Sequence, residues 1–265
     1  MATTYLDDIV AWHRARASED LRDWRERLGV VSYDGPSMID ALRDPSNPNV
    51  KVIAEVKRRS PSKGWIDEHL DAARLAMVYQ RGGATAVSVL TDEKYFSGSV
   101  EDFAAVREAV DVPLLRKDFS VSANDVLDAA AMGASCVLLI VAALDDAELR
   151  LFLHVAEHSG IDALVEVHDG LEARRALDCG ASLVGVNQRD LRSFEVDTDQ
   201  AVAVMASLPR NVVTVAESGL STPVDVLRAG EAGFDAVLVG EAFIRSAERE
   251  ELVRSFAATS RVHRG

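Results

Sequence analysis

Short apolar runs in this chain repeatedly end in charged, amide or small polar residues: Glu55-Val56-Lys57, Thr91-Asp92, Arg116-Lys117-Asp118, Glu166-Val167-His168, Asn187-Gln188-Arg189, Glu217-Ser218-Gly219 and Gly240-Glu241. Glu55 and Lys57 are two apart, so an extended strand puts both on one side. A carboxylate beside an ammonium suits acid-base work, because each keeps its partner charged and either can exchange a proton. One such pair also serves as a rim salt bridge. Glu55, Glu166 and Glu217 together with Lys57 and Lys117, at four separate strand ends, favour catalysis.

A second group of residues suits an anion. Ser60-Pro61-Ser62-Lys63-Gly64 follows the first apolar run, Ser218-Gly219 the seventh and Gly240 the eighth. Amides freed by glycine, small hydroxyls and the start of a short helix over Glu241 to Arg245 can donate hydrogen bonds to a phosphate without adding net charge. Serine and glycine are also ordinary turn residues, so each loop alone says little. Phe96, Phe119, Leu138 and Leu191 fall near the same run ends and could form an apolar slot for a planar group; taken singly, each is more often a packing residue.

These residues need a scaffold that gathers them. From Val50 onward β-branched runs alternate with amphipathic stretches, the rhythm of βα units. The runs are Val52 to Val56, Ala84 to Leu90, Val112 to Leu115, Ala134 to Val141, Ala163 to Val167, Ser182 to Val186, Val212 to Ala216 and Ala236 to Val239. Helical patterns lie between them, among them Leu70 to Tyr79, Val100 to Val110, Ala123 to Met132, Asp145 to His158, Leu171 to Cys179 and Pro223 to Ala229. Gly133, Gly160, Gly180 and Gly230 stand where left-handed C-terminal caps are expected. The reading is a single-domain α/β protein, a (β/α)8 TIM barrel, whose strand ends converge on one face. A doubly wound open sheet is the competitor, but it would normally carry a glycine fingerprint after its first strand, where this chain has Lys57-Arg58-Arg59-Ser60. Residues 1–47 precede the first strand and form an additional helical segment, with Leu6, Ile9, Val10 and His13 at helical spacing. It either caps the barrel bottom or covers the catalytic mouth; the second placement is the one expected.

The bulk composition bounds the partners. The 265 residues are 48% hydrophobic and 27% charged, enough for one large core. A formal net charge of -14 opposes nonspecific binding to nucleic acid or anionic lipid, so an anionic ligand must be held by local groups. No long apolar run and no secretory leader is read, which makes the cytoplasm the expected location. Cys136 and Cys179 lack metal-ligand spacing and are expected to pack.

The segments EVKRRSPSKG (55–64), LTDEKYFSGS (90–99), LRKDF (115–119), LVEVH (164–168), GVNQRDL (185–191) and AESG (216–219) resemble the indole-3-glycerol-phosphate synthases, over essentially the whole chain. The resemblance implies a carboxy-lyase of tryptophan biosynthesis that converts 1-(2-carboxyphenylamino)-1-deoxyribulose 5-phosphate to indole-3-glycerol phosphate, releasing carbon dioxide and water. It implies no metal and no organic cofactor, a phosphorylated small molecule as the partner, and a monomer. By position Lys117 resembles the general acid, Glu166 its partner in dehydration, and Glu55 and Lys57 the groups that arrange charge. Asn187 and Glu217 resemble further polar contacts, and which carboxylate is the base stays open. Arg189 and Lys57 resemble the holders of the substrate carboxylate, and Phe96, Phe119, Leu138 and Leu191 the ring enclosure. Ser60, Ser218, Gly219, Gly240 and Glu241 resemble the phosphate site. Three positions depart from the family pattern: Trp65, Gln188 and Glu241, whose side chain is expected to repel phosphate. A phosphoribosylanthranilate isomerase-like enzyme is the nearest alternative, but it would carry a catalytic cysteine after the first strand. A non-catalytic phosphate-binding barrel is the other.

Overall fold

The computed structural model describes residues 4–61, 63–189 and 196–262. Among them, eight parallel strands close into a barrel: β1 (Lys51–Val56), β2 (Ala86–Leu90), β3 (Leu114–Lys117), β4 (Cys136–Ile140), β5 (Asp162–Val167), β6 (Leu183–Asn187), β7 (Val213–Glu217) and β8 (Ala236–Val239). Strand β1 pairs with β2 on one side and β8 on the other, which closes the ring. The doubly wound alternative is thereby excluded.

Strand alternation sorts the apolar side chains into two cores. Val52, Ala54 and Val56 point outward to the helices, as do Val137, Leu139, Val165 and Val167. Ile53, Leu115, Leu138, Leu164, Val215 and Leu238 fill the barrel interior. Burial on both faces is why these strands read as continuous apolar runs. The same period of two sends Glu55, Lys117, Glu166, Asn187 and Glu217 inward, one step above the interior apolar layer. Three of the strands extend one or two residues beyond the apolar runs, so that Lys117, Asn187 and Glu217 belong to the ladder itself and not to the loops after it.

The helices are α1 (Tyr5–Glu19), α2 (Trp24–Leu28), α3 (Met38–Arg43), α4 (Ala72–Arg81), α5 (Glu93–Phe96), α6 (Val100–Ala109), α7 (Ala123–Ala131), α8 (Asp146–His158), α9 (Gly170–Cys179), α10 (Thr198–Ser207), α11 (Pro223–Ala232), α12 (Glu241–Arg245) and α13 (Arg249–Ala257). Capping boxes start α7, α8 and α11, where a Ser, Asp or Thr at the N-cap exchanges hydrogen bonds with an acid three residues on. Gly133, Gly160 and Gly180 adopt positive φ at helix ends. Gly230 does not: α11 runs past it and ends at Gly233, with φ of 96°. Gly230 is required for a different reason, since a Cβ there would lie 2.7 Å from the Ser260 carbonyl oxygen and 2.8 Å from Val50 Cγ2.

The N-terminal segment reaches both ends of the barrel. Helix α3 closes the floor: Met38 and Leu42 join the interior apolar cluster, and Asp162 at the start of β5 accepts from Ser37 Oγ at 2.8 Å and from the Ile39 amide at 3.0 Å. Helix α1, opened by a Thr4–Asp7 capping box, lies at the opposite end, where Tyr5, Leu6 and Ile9 line the main cavity. Both Cys136 and Cys179 are free thiols, the first inside the barrel core.

Candidate active site

A cavity of about 520 Å³ opens at the C-terminal ends of the strands. Lys117 Nζ stands 3.4 Å from Glu166 Oε2 and 3.4 Å from Glu217 Oε2, bridging β5 and β7 from β3. Asn187 Nδ2 donates to Glu166 Oε1 at 3.1 Å. At the end of β1, Lys57 Nζ, one residue past the strand, donates to Glu55 Oε1. The two ion-pair groups face each other across the mouth.

Glycine makes room for two of these carboxylates. A Cβ at Gly240 would lie 2.6 Å from Glu55 Oε1, and one at Gly185 would collide with Glu217 Oε1. Gly185 sits on β6 beside the Glu217 strand, and Gly240 directly follows β8 beside the Glu55 strand, so a side chain at either would displace the charge.

The electrostatics separate the two carboxylates around Lys117. Burial raises both, but Lys117, His168 and Asn187 reverse this for Glu166 and hold it below the usual carboxylate range. Glu217 is pushed up to about 7 by burial, with the Glu166 and Glu55 charges adding to the rise against the pull of Lys117. Burial disfavours the Lys117 ammonium, yet the charges of Glu217, Glu166 and Glu55 outweigh it and raise its pKa above the ordinary lysine value. The arrangement therefore offers an ammonium, an ionised base and a third group able to titrate near neutrality.

Ser218 and Gly219 follow β7 with φ of 66° and 72°. A left-handed serine costs about 1 to 2 kcal/mol, a strain that clusters where backbone is aimed at a ligand. In the segment after β1, Ser60 Oγ is buried and has no hydrogen-bond partner among the described residues. Lys63 Nζ and Arg245 Nε meet on Glu241 Oε1, at 3.0 and 2.8 Å. The expected repulsion from Glu241 is thus offset by two cations. Burial raises its carboxyl, but Arg245 and Lys63 bring it below the usual range.

On the side of β2, β3 and β4, Leu90, Phe96, Phe119, Leu138 and Ile140 form an apolar wall. Arg189 lies at the rim, its amide donating to Asn187 Oδ1 at 3.0 Å. Glu55, Lys57, Lys117, Glu166, Asn187, Glu217, Ser60, Phe96, Phe119, Leu138, Arg189, Ser218, Gly219, Gly240 and Glu241 all border this one cavity. Leu191 lies outside the described residues.

Several contributors carried no clear signal along the chain. His168 Nε2 lies 3.5 Å from Glu166 Oε1, while Glu172 holds its Nδ1 at 3.0 Å. Burial lowers the imidazole pKa, but Glu172 and Glu166 reverse this and raise it. Its place at the end of the LVEVH segment was visible; the Glu172 contact, one helical turn on, was the signal that could have found it. Gly185 and Lys63 were equally indistinct, because each acts only through a residue from another strand or loop, whereas Arg245 pairs with Glu241 one turn earlier in its own helix.

A family model described as indole-3-glycerol phosphate synthase matches residues 6–256. The chain belongs to the indole-3-glycerol phosphate synthase family. An indole-3-glycerol phosphate synthase of Micrococcus luteus is 50% identical over 263 residues, covering 96% of this chain and 97% of the relative. That of Mycobacterium leprae is 49% identical, covering 92% of this chain and 90% of its own. A member from Parafrankia sp. is 51% identical over 218 residues, or 82% and 81% of the two chains. Among solved structures, a thiamine phosphate pyrophosphorylase from Pyrococcus furiosus superposes with a TM-score of 0.60 at 16% identity, covering 79% of this chain and 94% of that one. That likeness concerns the barrel fold alone, and the synthase family assignment stands on the sequence relatives.

Proposed function

We propose that the protein is an indole-3-glycerol phosphate synthase acting in tryptophan biosynthesis, and that the N-terminal helix α1 covers its catalytic face. The observation that carries this is Lys117 held between Glu166 and Glu217 inside a cavity with an apolar wall at one side and hydroxyls, glycines and cations at the other.

The substrate, 1-(2-carboxyphenylamino)-1-deoxyribulose 5-phosphate, has matching parts. Its ring fits against Phe96, Phe119 and Leu138, with Leu191 assigned to the same enclosure; its carboxylate is assigned to Arg189 and Lys57; its phosphate is assigned to Ser60, Ser218, Gly219, Gly240 and the Glu241 backbone. The ring carbon bearing the carboxylate attacks the ketone carbon, and the ketone oxygen takes a proton from Lys117. An alkoxide is far more basic than an amine, so a lysine whose ammonium is strongly held still gives up its proton at that moment. Carbon dioxide leaves and its bonding pair restores the aromatic ring. The hydroxyl then departs as water while Glu166 removes a proton from the new five-membered ring. Glu166 suits the base because its charge survives burial, whereas Glu217 is partly protonated near neutrality. Glu55 and Lys57 set the charge balance opposite, and the Lys57 ammonium gives the hydroxyl the proton with which it leaves as water. Asn187 orients Glu166 through the 3.1 Å hydrogen bond.

No step in this scheme calls for a metal or organic cofactor. His13, Asp92 and Asp118 have ligand atoms within 4.8 Å of one another. The Arg116 guanidinium already occupies Asp118 Oδ2 at 2.8 Å, and a cation beside it would be repelled. The deciding experiment supplies the carboxyphenylamino substrate and follows indole fluorescence together with carbon dioxide release. Product is expected; a protein that leaves the substrate unchanged is not this enzyme.

A further inference from the structure

The scheme above leaves one buried polar cluster unused. His13, on α1, is 6% exposed and points its Nε2 at Asp92 Oδ2, 2.9 Å away, with Asp118 Oδ1 at 3.8 Å. Each carboxylate has a second task. Asp92 Oδ1 accepts from the amides of Tyr95 and Phe96 at 2.6 and 3.0 Å, which caps α5. Asp118 Oδ1 accepts from the Phe119 amide at 2.8 Å, while Oδ2 takes Thr91 Oγ1 and Arg116. The two acids that meet His13 therefore also fix the backbone of the two aromatic residues on the cavity wall.

Ring contacts run along the same route. The His13 ring lies 5.5 Å from that of Phe119, tilted by 35°, and Phe119 lies 6.1 Å from Phe96, tilted by 36°. Around this chain of rings α1 docks on α5, with Tyr95 edge-on to Tyr5 at 5.7 Å and to Trp12 at 6.1 Å. His13 itself does not border the cavity. It can act on a ligand only through the residues it holds.

We propose that His13 is a positioning residue for the aromatic end of the substrate. It ties Asp92 and Asp118 together so that Phe96 and Phe119 keep the separation that admits a flat ring, and it makes that separation depend on α1 being docked. This rests on the reading of the apolar wall as the ring's seat. A group that shapes a binding slot acts alike on the ground and transition states, so its loss appears in KM and not in kcat.

The test uses the full chain and compares wild type with His13→Ala, His13→Gln and Asp92→Asn. His13→Ala is expected to raise KM for the carboxyphenylamino substrate by about tenfold, equivalent to about 1.4 kcal/mol, with kcat within about threefold. His13→Gln, which can still donate to Asp92, restores KM to within about threefold of wild type. Affinity for 2-aminobenzoate, titrated through its own fluorescence, falls in parallel with the KM change. A merely structural role would lower the active fraction and leave KM and the 2-aminobenzoate affinity unmoved, and that result overturns the proposal. Should His13→Ala not fold, Asp92→Asn carries the same expectation, because its amide oxygen still caps α5 while its charge toward His13 is gone. If wild type binds 2-aminobenzoate but makes no indole, the functional reading falls while the 2-aminobenzoate titration still decides the role of His13.

Discussion

Lys117 and Glu166 lie 49 residues apart on strands that do not pair with each other, and their side chains meet at 3.4 Å inside the barrel mouth. Strand β4 runs between their strands and contributes only apolar side chains, Leu138 and Ile140, to the cavity. The proton-transfer groups are thus set across an apolar stave, where water has little access and charge interactions are strong.

Lys117→Ala is expected to abolish turnover while substrate affinity changes by less than about tenfold, or 1.4 kcal/mol. The ammonium acts on the oxyanion formed in the transition state, whereas phosphate, carboxylate and ring contacts are untouched. Stopped assays with indole fluorescence, paired with equilibrium titration, separate the two quantities. Near-normal turnover would remove Lys117 from its assigned role.

Glu217 makes stability depend on pH in a definite direction. Its folded pKa of about 7 lies above the ordinary value of 4.5, so the folded state holds a proton that the unfolded chain releases. That contribution is fully present below about pH 4.5 and is lost as pH rises through about 7. Glu217→Gln mimics the protonated form. Its Tm relative to wild type should therefore climb between about pH 4.5 and about pH 7 and level off above, by about a few degrees in all; a difference independent of pH would show that Glu217 does not titrate in this range.

Gly185→Ala adds one methyl group against Glu217 Oε1, the mobile end of a side chain. The fold should tolerate it at a cost of about 1 kcal/mol, because the carboxylate can swing aside. Swinging aside takes it away from Lys117, so kcat should drop by about tenfold or more. Thermal melts and kcat measured on one preparation check both halves. A Tm loss with kcat preserved would contradict the account.

Glu241→Ser removes a carboxylate that now occupies Lys63 and Arg245. These pairs are partly exposed, and pairs of that kind contribute only about 0 to 1 kcal/mol to stability. The freed cations should instead meet the substrate phosphate, lowering KM and the inhibition constant of inorganic phosphate by about threefold, with weaker effect at high salt. A rise in both constants would mean that Glu241 assists phosphate binding.

The barrel was legible along the chain for a simple reason. Val, Ile, Leu and Ala dominate both faces of the strands, and the inward face turns to acids toward the C-terminal end, as at Glu55, Glu166 and Glu217. What lay beyond reach was any contact made by closing the ring. Gly185 looks like an ordinary strand glycine until β7 lies beside it. His13 looks like one member of an amphipathic stripe until α1 meets the loops after β2 and β3. Gly230 was misplaced as a cap because its constraint comes from Ser260, 30 residues on, and not from its own helix. Glu241 looked repulsive because its two cationic neighbours are a loop and a helical turn away.

The placement of the reactive side chains on the strand ladder, with the anion-holding groups on turns beyond it, divides the molecule into a stiff workbench and an exchangeable set of clamps. Lineages or designers that rewrite the clamps would change which sugar phosphate is gripped and leave the proton machinery standing.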